Sequence, residues 1–450
     1  MPVSVAVAVI GGVRLMDLLV VPPLADFTTE IVPPAGTETL DLNEHMVERL
    51  ADPAHLRTAA ERLAGEPLTA LFGRAAAAIL ERKAFDDAHL RAMGTALGLA
   101  GDPAVRLTID GLELIEGSPQ SSRDVLRAAL RCELFRPEIE LAREAVAGGR
   151  HAHVVVDWAD QLPAAFALVD SLGADRVTLC GRFVTEHGAA LRRVPALAGV
   201  RCRSWTPDRV IRALWYVRGE PGDRVRWLTG TCPPPADGPW AGWLDAGRAA
   251  AFPPEALARC RGLTITVTRV DFLGAATGMN GITVDLRRLM TAIPPGVPVT
   301  CQLAVGAPGI TADVAEESAE LLADGAGGIR LGGLRPYRMG IRSSWAGHSV
   351  RFPPAAGHDL VRWMDFDAPD TMRPPQVAHL IRRWLGRLPG LLPGRLAACT
   401  VAGDPPGPAP AWDPCAEVVA GPHALDDLTG PARERLTAQP ARAGGLRGHE

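Results

Sequence analysis

Two arginines and a tyrosine near the end of an apolar, glycine-containing run are the side chains best suited to holding an anion. They lie in the tetrapeptide Arg335-Pro336-Tyr337-Arg338. The forked guanidinium group of arginine matches the oxygens of a carboxylate or a phosphate. Arg335, Tyr337 and Arg338 are therefore predicted to bind a cofactor or another anionic group. The alternative is that they only cap the mouth of a barrel.

A glycine-containing turn, Val305-Gly306-Ala307-Pro308-Gly309, is the second candidate, and it follows a run of apolar, β-branched residues. Ligand sites of α/β folds lie at the ends of strands. Gly306 and Gly309 are accordingly predicted to approach a cofactor, or to serve only as a tight connection between a strand and a helix.

No complete motif identifies catalytic residues. Asp271 follows a strand-like run and is the best single polar candidate, with a structural hydrogen bond as the alternative. His151 and His153 have the spacing that places two imidazoles on one strand face, as metal ligands or as part of a solvated strand entry. Asp157 and Asp160 are spaced for an acid–base pair, or Asp160 caps a helix.

These side chains need strands and helices to position them, and the pattern over residues 262–341 predicts both in alternation. Apolar, β-branched runs at Leu263–Val267 and Val297–Val305 are typical of buried parallel strands. Helical spacing follows each run, at Thr283–Ala292 and Thr311–Ala323. This alternation predicts βα units.

An earlier α/β series predicts a doubly wound parallel sheet. Its expected elements are the strand Ala152–Val156, the helix Gln161–Leu172, the strand Arg176–Cys180, the helix Val184–Arg193, the strand Gly199–Cys202 and the helix Pro207–Arg218. The expected fold class is therefore α/β, with an N-terminal doubly wound parallel sheet followed by a partial (β/α) barrel.

The chain divides into four expected regions. Residues 1–218 form an α/β domain with a helical insertion at about 44–100, and residues 219–262 form a connector rich in tryptophan, proline and glycine. Residues 263–400 form the partial barrel and a C-terminal helix. Residues 401–450 form a tail rich in proline, glycine and alanine, which is expected to be flexible.

Composition excludes several classes of function. The 450-residue chain has a formal net charge of −4, so it has no basic excess for a nucleic acid or a membrane surface. Lys83 lies outside the motifs in which a Walker loop, a pyridoxal Schiff base or a Tyr-Lys dehydrogenase uses lysine. The eight cysteines show no C-x-x-C spacing. With no secretory signal or membrane-spanning run expected, the chain is predicted to be cytoplasmic.

Several short motifs occur in an order found in one protein family. They are Val21-Pro22-Pro23-Leu24, Pro33-Pro34-Ala35-Gly36, Asp41-Leu42-Asn43, Val270-Asp271-Phe272-Leu273-Gly274 and the two motifs around Gly306 and Arg335. Over most of residues 17–345 the chain resembles cobalamin-binding-type radical S-adenosylmethionine (SAM) proteins. The resemblance implies a cobalamin-binding-like (B12) sheet and a radical-SAM-like TIM-type partial barrel, with cobalamin or SAM as the cofactor.

The resemblance also assigns roles to glycines. Gly181 stands where the family has paired glycines after a strand, beside the tail of the corrin, and Arg182 replaces the second glycine. An arginine there is expected to narrow a slot lined by backbone. The turn from Gly306 to Gly309 matches the one that approaches a nucleoside cofactor in the family.

The chain departs from the family at its iron–sulfur cluster. Three thiolates of a C-x-x-x-C-x-x-C motif must reach one cluster, and no such motif is present. A [4Fe–4S] cluster is therefore not expected. The prediction is a degenerate member, a pseudoenzyme that binds a peptide substrate or an active radical SAM homologue in peptide or natural-product biosynthesis.

Two alternatives remain open. One is an active cobalamin- or cluster-dependent enzyme, for methyl transfer or a related reaction, whose unusual metal ligands are Cys232, Cys260 and Cys301. The other is an unrelated α/β enzyme whose arginines bind an anionic metabolite without a metal.

Overall fold

The computed structural model describes most of the chain between Asp17 and Arg387. The described residues are 17–24, 29–62, 65–82, 87–108, 111–211, 225–229, 233–279, 281–297, 299–325, 328–340, 350–351, 356–360, 363–364 and 366–387. The expected tail, residues 401–450, lies outside them.

The strands among these residues are short. In chain order they are β1 (Leu18–Val21), β2 (Thr29–Val32), β3 (Glu38–Asp41), β4 (Val105–Thr108), β5 (Gly111–Leu114), β6 (Ala152–Val155), β7 (Val177–Cys180), β8 (Arg201–Cys202), β9 (Asp208–Ile211), β10 (Arg226–Thr229), β11 (Trp240–Asp245), β12 (Cys260–Val267), β13 (Arg269–Val270), β14 (Ala275–Thr277), β15 (Thr283–Asp285), β16 (Val299–Val305), β17 (Arg330–Pro336), β18 (Met339–Gly340), β19 (Val350–Arg351), β20 (Trp363–Met364) and β21 (Phe366–Asp367).

The helices of the same residues are α1 (Leu42–Leu50), α2 (Pro53–Arg62), α3 (Pro67–Glu81), α4 (Asp87–Leu99), α5 (Ser122–Arg131), α6 (Arg136–Val146), α7 (Leu162–Leu172), α8 (Arg182–Leu191), α9 (Ala246–Ala250), α10 (Pro254–Leu257), α11 (Leu286–Ala292), α12 (Ala312–Ala323) and α13 (Pro374–Arg387). None of the described helices is long and apolar enough to cross a membrane.

The first sheet, here called sheet A, has five parallel strands in the order β3-β1-β6-β7-β8. Its central strands are short apolar runs, and all four residues of β1, β6 and β7 are buried. If the five strands of sheet A are numbered 1 to 5 in chain order, their order in the sheet is 2-1-3-4-5. This is one of the two common doubly wound orders.

Helices cover only one face of sheet A among the described residues. Leu18, Val154 and Leu179 pack there in one cluster with residues of α5, α6, α7 and α8. The opposite face, which includes Val21, packs against Ile31 of β2 and Trp205. A doubly wound sheet has helices on both faces. The strand order is therefore present, whereas the second helical layer is not found in the described part of the chain.

The predicted helix Pro207–Arg218 is wrong in its described part. Asp208–Ile211 is the strand β9, which pairs antiparallel with β2; residues 212–218 lie outside the described chain. Val210 is buried in this strand. Four residues carry too little periodicity to separate strand from helix, and the pairing partner that decides the outcome is remote in sequence.

The second sheet, here called sheet B, is mixed and has the order β17-β16-β12-β11-β10-β9-β2. Strands β10, β11, β12, β16 and β17 are parallel and lie side by side in chain order. Strands β9 and β2 add an antiparallel edge. The succession of parallel neighbours resembles part of a barrel, but the described strands form an open sheet and close no barrel.

The predicted helix Thr283–Ala292 is also corrected at its start. Thr283–Asp285 forms β15, the third strand of a small antiparallel sheet with β13 and β14, and the helix begins at Leu286. The Asp285 side chain accepts hydrogen bonds from the backbone N–H groups of Arg287 and Arg288. This N-cap marks the change from strand to helix.

Asp359 and Leu360, late in the chain, contact the elements that pack on sheet A. The Asp359 carboxylate accepts hydrogen bonds from the Ser122 backbone N–H, at 2.7 Å, and from its hydroxyl, at 2.5 Å. Leu360 is buried in the cluster that covers sheet A. The first sheet is thus packed in part by residues that follow sheet B in sequence.

Candidate functional site

The carboxyl ends of parallel strands are where α/β sheets hold their ligands. In sheet A, Asp157 follows β6 at this edge, and its side chain is 5% exposed. One carboxylate oxygen accepts the Arg182 backbone N–H at 2.8 Å, and the other accepts Arg209 Nε at 2.8 Å and Arg209 Nη2. Since Arg209 belongs to β9, Asp157 joins the two sheets and is already saturated by the chain.

The crevice between β1 and β6, where the strand order of sheet A reverses, is filled by Gln161. This buried side chain accepts the backbone N–H groups of Asp157, at 2.7 Å, and Trp158, at 3.1 Å. Its amide nitrogen lies 3.5 Å from the Pro22 carbonyl oxygen. The usual ligand position of this strand order is therefore occupied by the protein's own side chain.

Gly181 lies at the same edge, between β7 and α8, with a φ of 103°. A Cβ on this residue would lie 2.6 Å from the Val156 carbonyl oxygen. Its backbone N–H donates to the Trp205 carbonyl oxygen at 2.7 Å. The close approach of the β6 loop explains the glycine, so the residues around Gly181 do not leave a backbone-lined slot for the tail of a corrin.

Arg335, in β17 of sheet B, is the best-supported of the predicted binding residues. Its guanidinium carbon lies 5.2 Å from the centre of the Trp243 ring, and its Nε is buried without a hydrogen-bond partner. Burial lowers the pKa of Arg335 to about 10, and the nearby Arg338 and Arg182 act in the same direction. Arg335 is therefore still a cation at neutral pH.

Arg182 brings the carboxyl edge of sheet A to this cluster. Its guanidinium carbon lies 5.2 Å from the centre of the Trp158 ring, and its Nε donates to Glu186 at 3.0 Å. The charge of Arg182 lowers the pKa of Arg335, and the Asp157–Arg209 ion pair joins the same two sheets. Stacking on an indole holds the plane of a guanidinium group and leaves its N–H edge for a planar acceptor.

Asp245, at the carboxyl end of β11, is the carboxylate that acts electrostatically on Arg335. Its oxygens accept the backbone N–H groups of Gly247 at 2.9 Å, Arg248 at 3.4 Å and Met279 at 2.5 Å. Burial raises the pKa of Asp245. Within the described chain no carboxylate is hydrogen-bonded to Arg335.

Tyr337 and Arg338 follow Arg335 but differ in their contacts. The Tyr337 hydroxyl donates to the Met279 carbonyl oxygen at 3.4 Å, and its ring packs edge-on against Phe366. Tyr337 is thus a buried packing residue beside the cluster. Arg338 is partly exposed and acts electrostatically on Arg335, which leaves Arg182, Arg335 and Arg338 as the cationic group of the site.

The turn from Gly306 to Gly309 is covered by the chain itself. A Cβ on Gly306 would lie 2.6 Å from Val377 Cγ2 of α13. The Gly309 backbone N–H donates to the Thr371 hydroxyl at 3.0 Å. Of the two roles predicted for this turn, these contacts support the tight connection between a strand and a helix.

Asp271 holds a hairpin turn between β13 and β14. One carboxylate oxygen accepts the backbone N–H groups of Leu273 and Ala275, both at 2.9 Å. This is the hydrogen bonding typical of an Asx turn. The contacts favour the structural alternative for Asp271 over a catalytic role.

Of the alternative cysteine ligands, Cys260 and Cys301 do not lie close together. Cys260 is the first residue of β12, whereas Cys301 pairs with Ile265 of the same strand. Five residues along a strand span about 16 Å. Both thiols are buried, and burial raises the pKa of Cys260 to about 12 and that of Cys301 further. Cys232 lies outside the described residues.

The two histidines lie at the opposite, amino edge of sheet A. His153 Nε2 lies 2.8 Å from an Asp17 oxygen, and His151 Nε2 lies 2.7 Å from the Thr178 hydroxyl. Their rings share one strand face, as the spacing predicted, with centres 5.2 Å apart. No group of three or more His, Cys, Asp or Glu residues able to hold a metal is found in the described chain.

Sequence reasoning missed Asp245 and Arg209 and gave Arg182 only a steric role. Asp245 has a usable signal, because an aspartate between a strand and a short alanine-rich helix is a strong N-cap at a strand's carboxyl end. Arg209 has none, since its strand was predicted as a helix. Comparisons with protein-family models, with curated proteins and with solved structures gave no match.

Proposed function

We propose that this chain is a binding protein for an anionic ligand, held by Arg182, Arg335 and Arg338 where the carboxyl edges of its two sheets meet. The ligand carries a carboxylate or a phosphate, on a small metabolite or on a peptide. The observation that carries the proposal is the buried Nε of Arg335, which has no acceptor. A guanidinium group is always charged and has only donors, so an unmet N–H in a buried position calls for an acceptor.

The surroundings of Arg335 favour an acceptor from outside the chain. Asp245 is the nearby carboxylate, and three backbone N–H groups already use its oxygens. Asp157, at the carboxyl edge of sheet A, already accepts the Arg182 backbone N–H and the Arg209 guanidinium group. A ligand anion would bridge cations from both sheets and hold the two edges together.

The same geometry supports a role without radical chemistry. Cys260 and Cys301 are far apart in a buried core, and Gly181 and Gln161 are packed by the protein itself. The residues present therefore do not fit an iron–sulfur cluster held by these cysteines, or a corrin tail beside Gly181. Within the resemblance stated above, the proposal corresponds to an accessory, substrate-binding protein that acts beside an active radical SAM homologue in peptide or natural-product modification.

Isothermal titration calorimetry of the full chain with inorganic phosphate and with citrate tests anion binding. We expect Arg335→Met to weaken binding by about tenfold or more, the value of a lost charged hydrogen bond. Arg288→Met, at an exposed arginine of α11, is the matched control and is expected to bind as the wild type does. Equal affinity of the wild type and Arg335→Met, or no binding of either anion, would overturn the proposal.

Anaerobic reconstitution with iron and sulfide tests the claim that the chain is not a radical SAM catalyst. We expect no stable four-iron spectrum and no cleavage of SAM. A four-iron spectrum with cofactor cleavage would show that distant thiols do form a cluster, and it would replace the binding role with an enzymatic one.

A further inference from the structure

Helix α3 has two apolar faces, and the described chain covers one of them. The covered face contains Ala70, Gly73, Ala77 and Leu80. A Cβ on Gly73 would lie 3.0 Å from both the Ala60 Cβ of α2 and a Leu99 methyl of α4. This side of the helix is packed as closely as a core allows.

The other face forms a continuous apolar stripe that is turned away from the neighbouring helices. Leu68, Leu71 and Phe72 are 69%, 52% and 61% exposed. The full exposed stripe, at helical spacings of three and four residues, is Leu68, Leu71, Phe72, Ala75 and Ala78. A helix on a protein surface normally carries polar residues on its outer face. A seam of this spacing is typical of helices that pair with another helix.

We propose that α3 is a self-association surface, on which the α3 helix of a second copy packs antiparallel about a twofold axis. The stripe is large in its first half, with Leu68, Leu71 and Phe72, and small in its second half, with Ala75 and Ala78. With the axis near the middle of the helix, the large half of each copy faces the small half of the other. A twofold interface requires this kind of self-complementary surface.

The charges at the two ends of α3 agree with the antiparallel direction. Glu66 precedes the helix and Arg82 follows it, and both are exposed. Sixteen residues of helix separate them by about 24 Å, so they cannot meet within one chain. An antiparallel pair brings Glu66 of each copy to Arg82 of the other, whereas a parallel pair places like charges together.

The size of the stripe sets the strength of the contact. A stable interface buries about 800 Å² on each partner, and one stripe of this length supplies only part of that area. We therefore expect a dimer that dissociates on dilution, with a dissociation constant of about 1–100 μM, in the range of small transient contacts.

Sedimentation velocity of the full chain between about 1 and 200 μM, which brackets the dissociation constant expected above, tests the contact. We expect the wild type to dimerise over this range, and Leu71→Glu and Phe72→Glu to weaken the dimer by about tenfold or more. Phe272→Glu is the matched control, since Phe272 is an exposed aromatic residue, 73% accessible, on the hairpin between β13 and β14. That control is expected to dimerise as the wild type does.

A charge reversal tests the direction of pairing. Glu66→Arg and Arg82→Glu are each expected to weaken the dimer, and the double variant is expected to recover it, since the opposite charges meet again. A chain that stays monomeric over the whole concentration range overturns the proposal. That result is expected if a segment of the same chain covers the stripe. A dimer that tolerates Leu71→Glu overturns it as well. A double variant that fails to recover overturns the antiparallel arrangement.

Discussion

The carboxylate of Asp157 and the guanidinium group of Arg209 form a buried ion pair that joins sheet A to sheet B. The two side chains are 5% and 11% exposed, and Arg209 also donates to the Thr29 hydroxyl at 3.1 Å. Arg209 and Thr29 lie on the paired strands β9 and β2, and Ile31 of β2 packs against the sheet A face that lacks described helices. The pair therefore holds a strand layer in the position where a doubly wound fold places helices.

Asp157→Asn is expected to destabilise the protein by about 3–5 kcal/mol, because it leaves Arg209 charged and buried without its partner. The free energy of unfolding from urea denaturation is the measurement. Asp237→Asn is the matched control, since its ion pair with Arg226 is exposed, with a distance of 3.8 Å. That change is expected to cost less than about 1 kcal/mol. Equal losses for the two variants would show that the Asp157 pair does not organise the junction.

Gly181→Ala is expected to be costly for two reasons that can be separated. The residue has a φ of 103°, and its Cβ would lie 2.6 Å from the Val156 carbonyl oxygen. Gly149 also has a positive φ, 82°, but a Cβ there meets no atom within 4 Å. Gly149→Ala should cost about 1–2 kcal/mol for the left-handed backbone alone. Thermal or urea unfolding should show a larger loss of stability for Gly181→Ala than for Gly149→Ala. Equal losses for the two variants would contradict the close approach of the Val156 carbonyl oxygen to Gly181.

The lowered pKa values of the two histidines at the amino edge of sheet A predict a loss of stability in mild acid. Burial lowers the pKa values of His151 and His153 from 6.5, and Arg201 and Arg203 lower them further against the opposing effect of Asp17. The unfolded chain therefore binds protons first, near pH 6.5, and acidification below that pH favours unfolding.

Melting temperatures between pH 8 and pH 5 test this sign. His153→Gln should reduce the fall in melting temperature below about pH 6.5, because the variant lacks one of the two histidines whose pKa is lowered. His55→Gln, at an exposed histidine of α2, serves as the control and should keep the slope of the wild type. A wild-type protein whose melting temperature rises on acidification over this range would contradict the burial of the pair.

Elements with strong local signals were predicted closely. The helix predicted at Gln161–Leu172 is observed at Leu162–Leu172, and the one predicted at Thr311–Ala323 is observed at Ala312–Ala323. Each has apolar residues at helical spacing, and the Thr311 side chain caps the second by accepting the Val314 backbone N–H. Such signals lie within one segment of chain and need no tertiary contact.

Features that depend on remote partners could not be predicted. Strand β9 exists because it pairs with β2, and residue type alone does not reveal a partner about 180 residues away. The site shows the same limit. Arg335 was found from its residue type, but its stacking on Trp243 and its proximity to Arg182 depend on the meeting of two sheet edges.

Arg335→Met is expected to weaken anion binding without lowering the stability of the fold. In the absence of an anion, replacing a cation whose Nε is buried without an acceptor by an apolar side chain should leave stability unchanged or raise it. An anion at 100 times its dissociation constant should stabilise the wild type by about 2.7 kcal/mol, since it binds only the folded state. The variant should lose this increment in thermal unfolding with phosphate. A variant that unfolds more easily without phosphate, yet keeps the full phosphate increment, would place Arg335 in the structural core and move the anion site elsewhere.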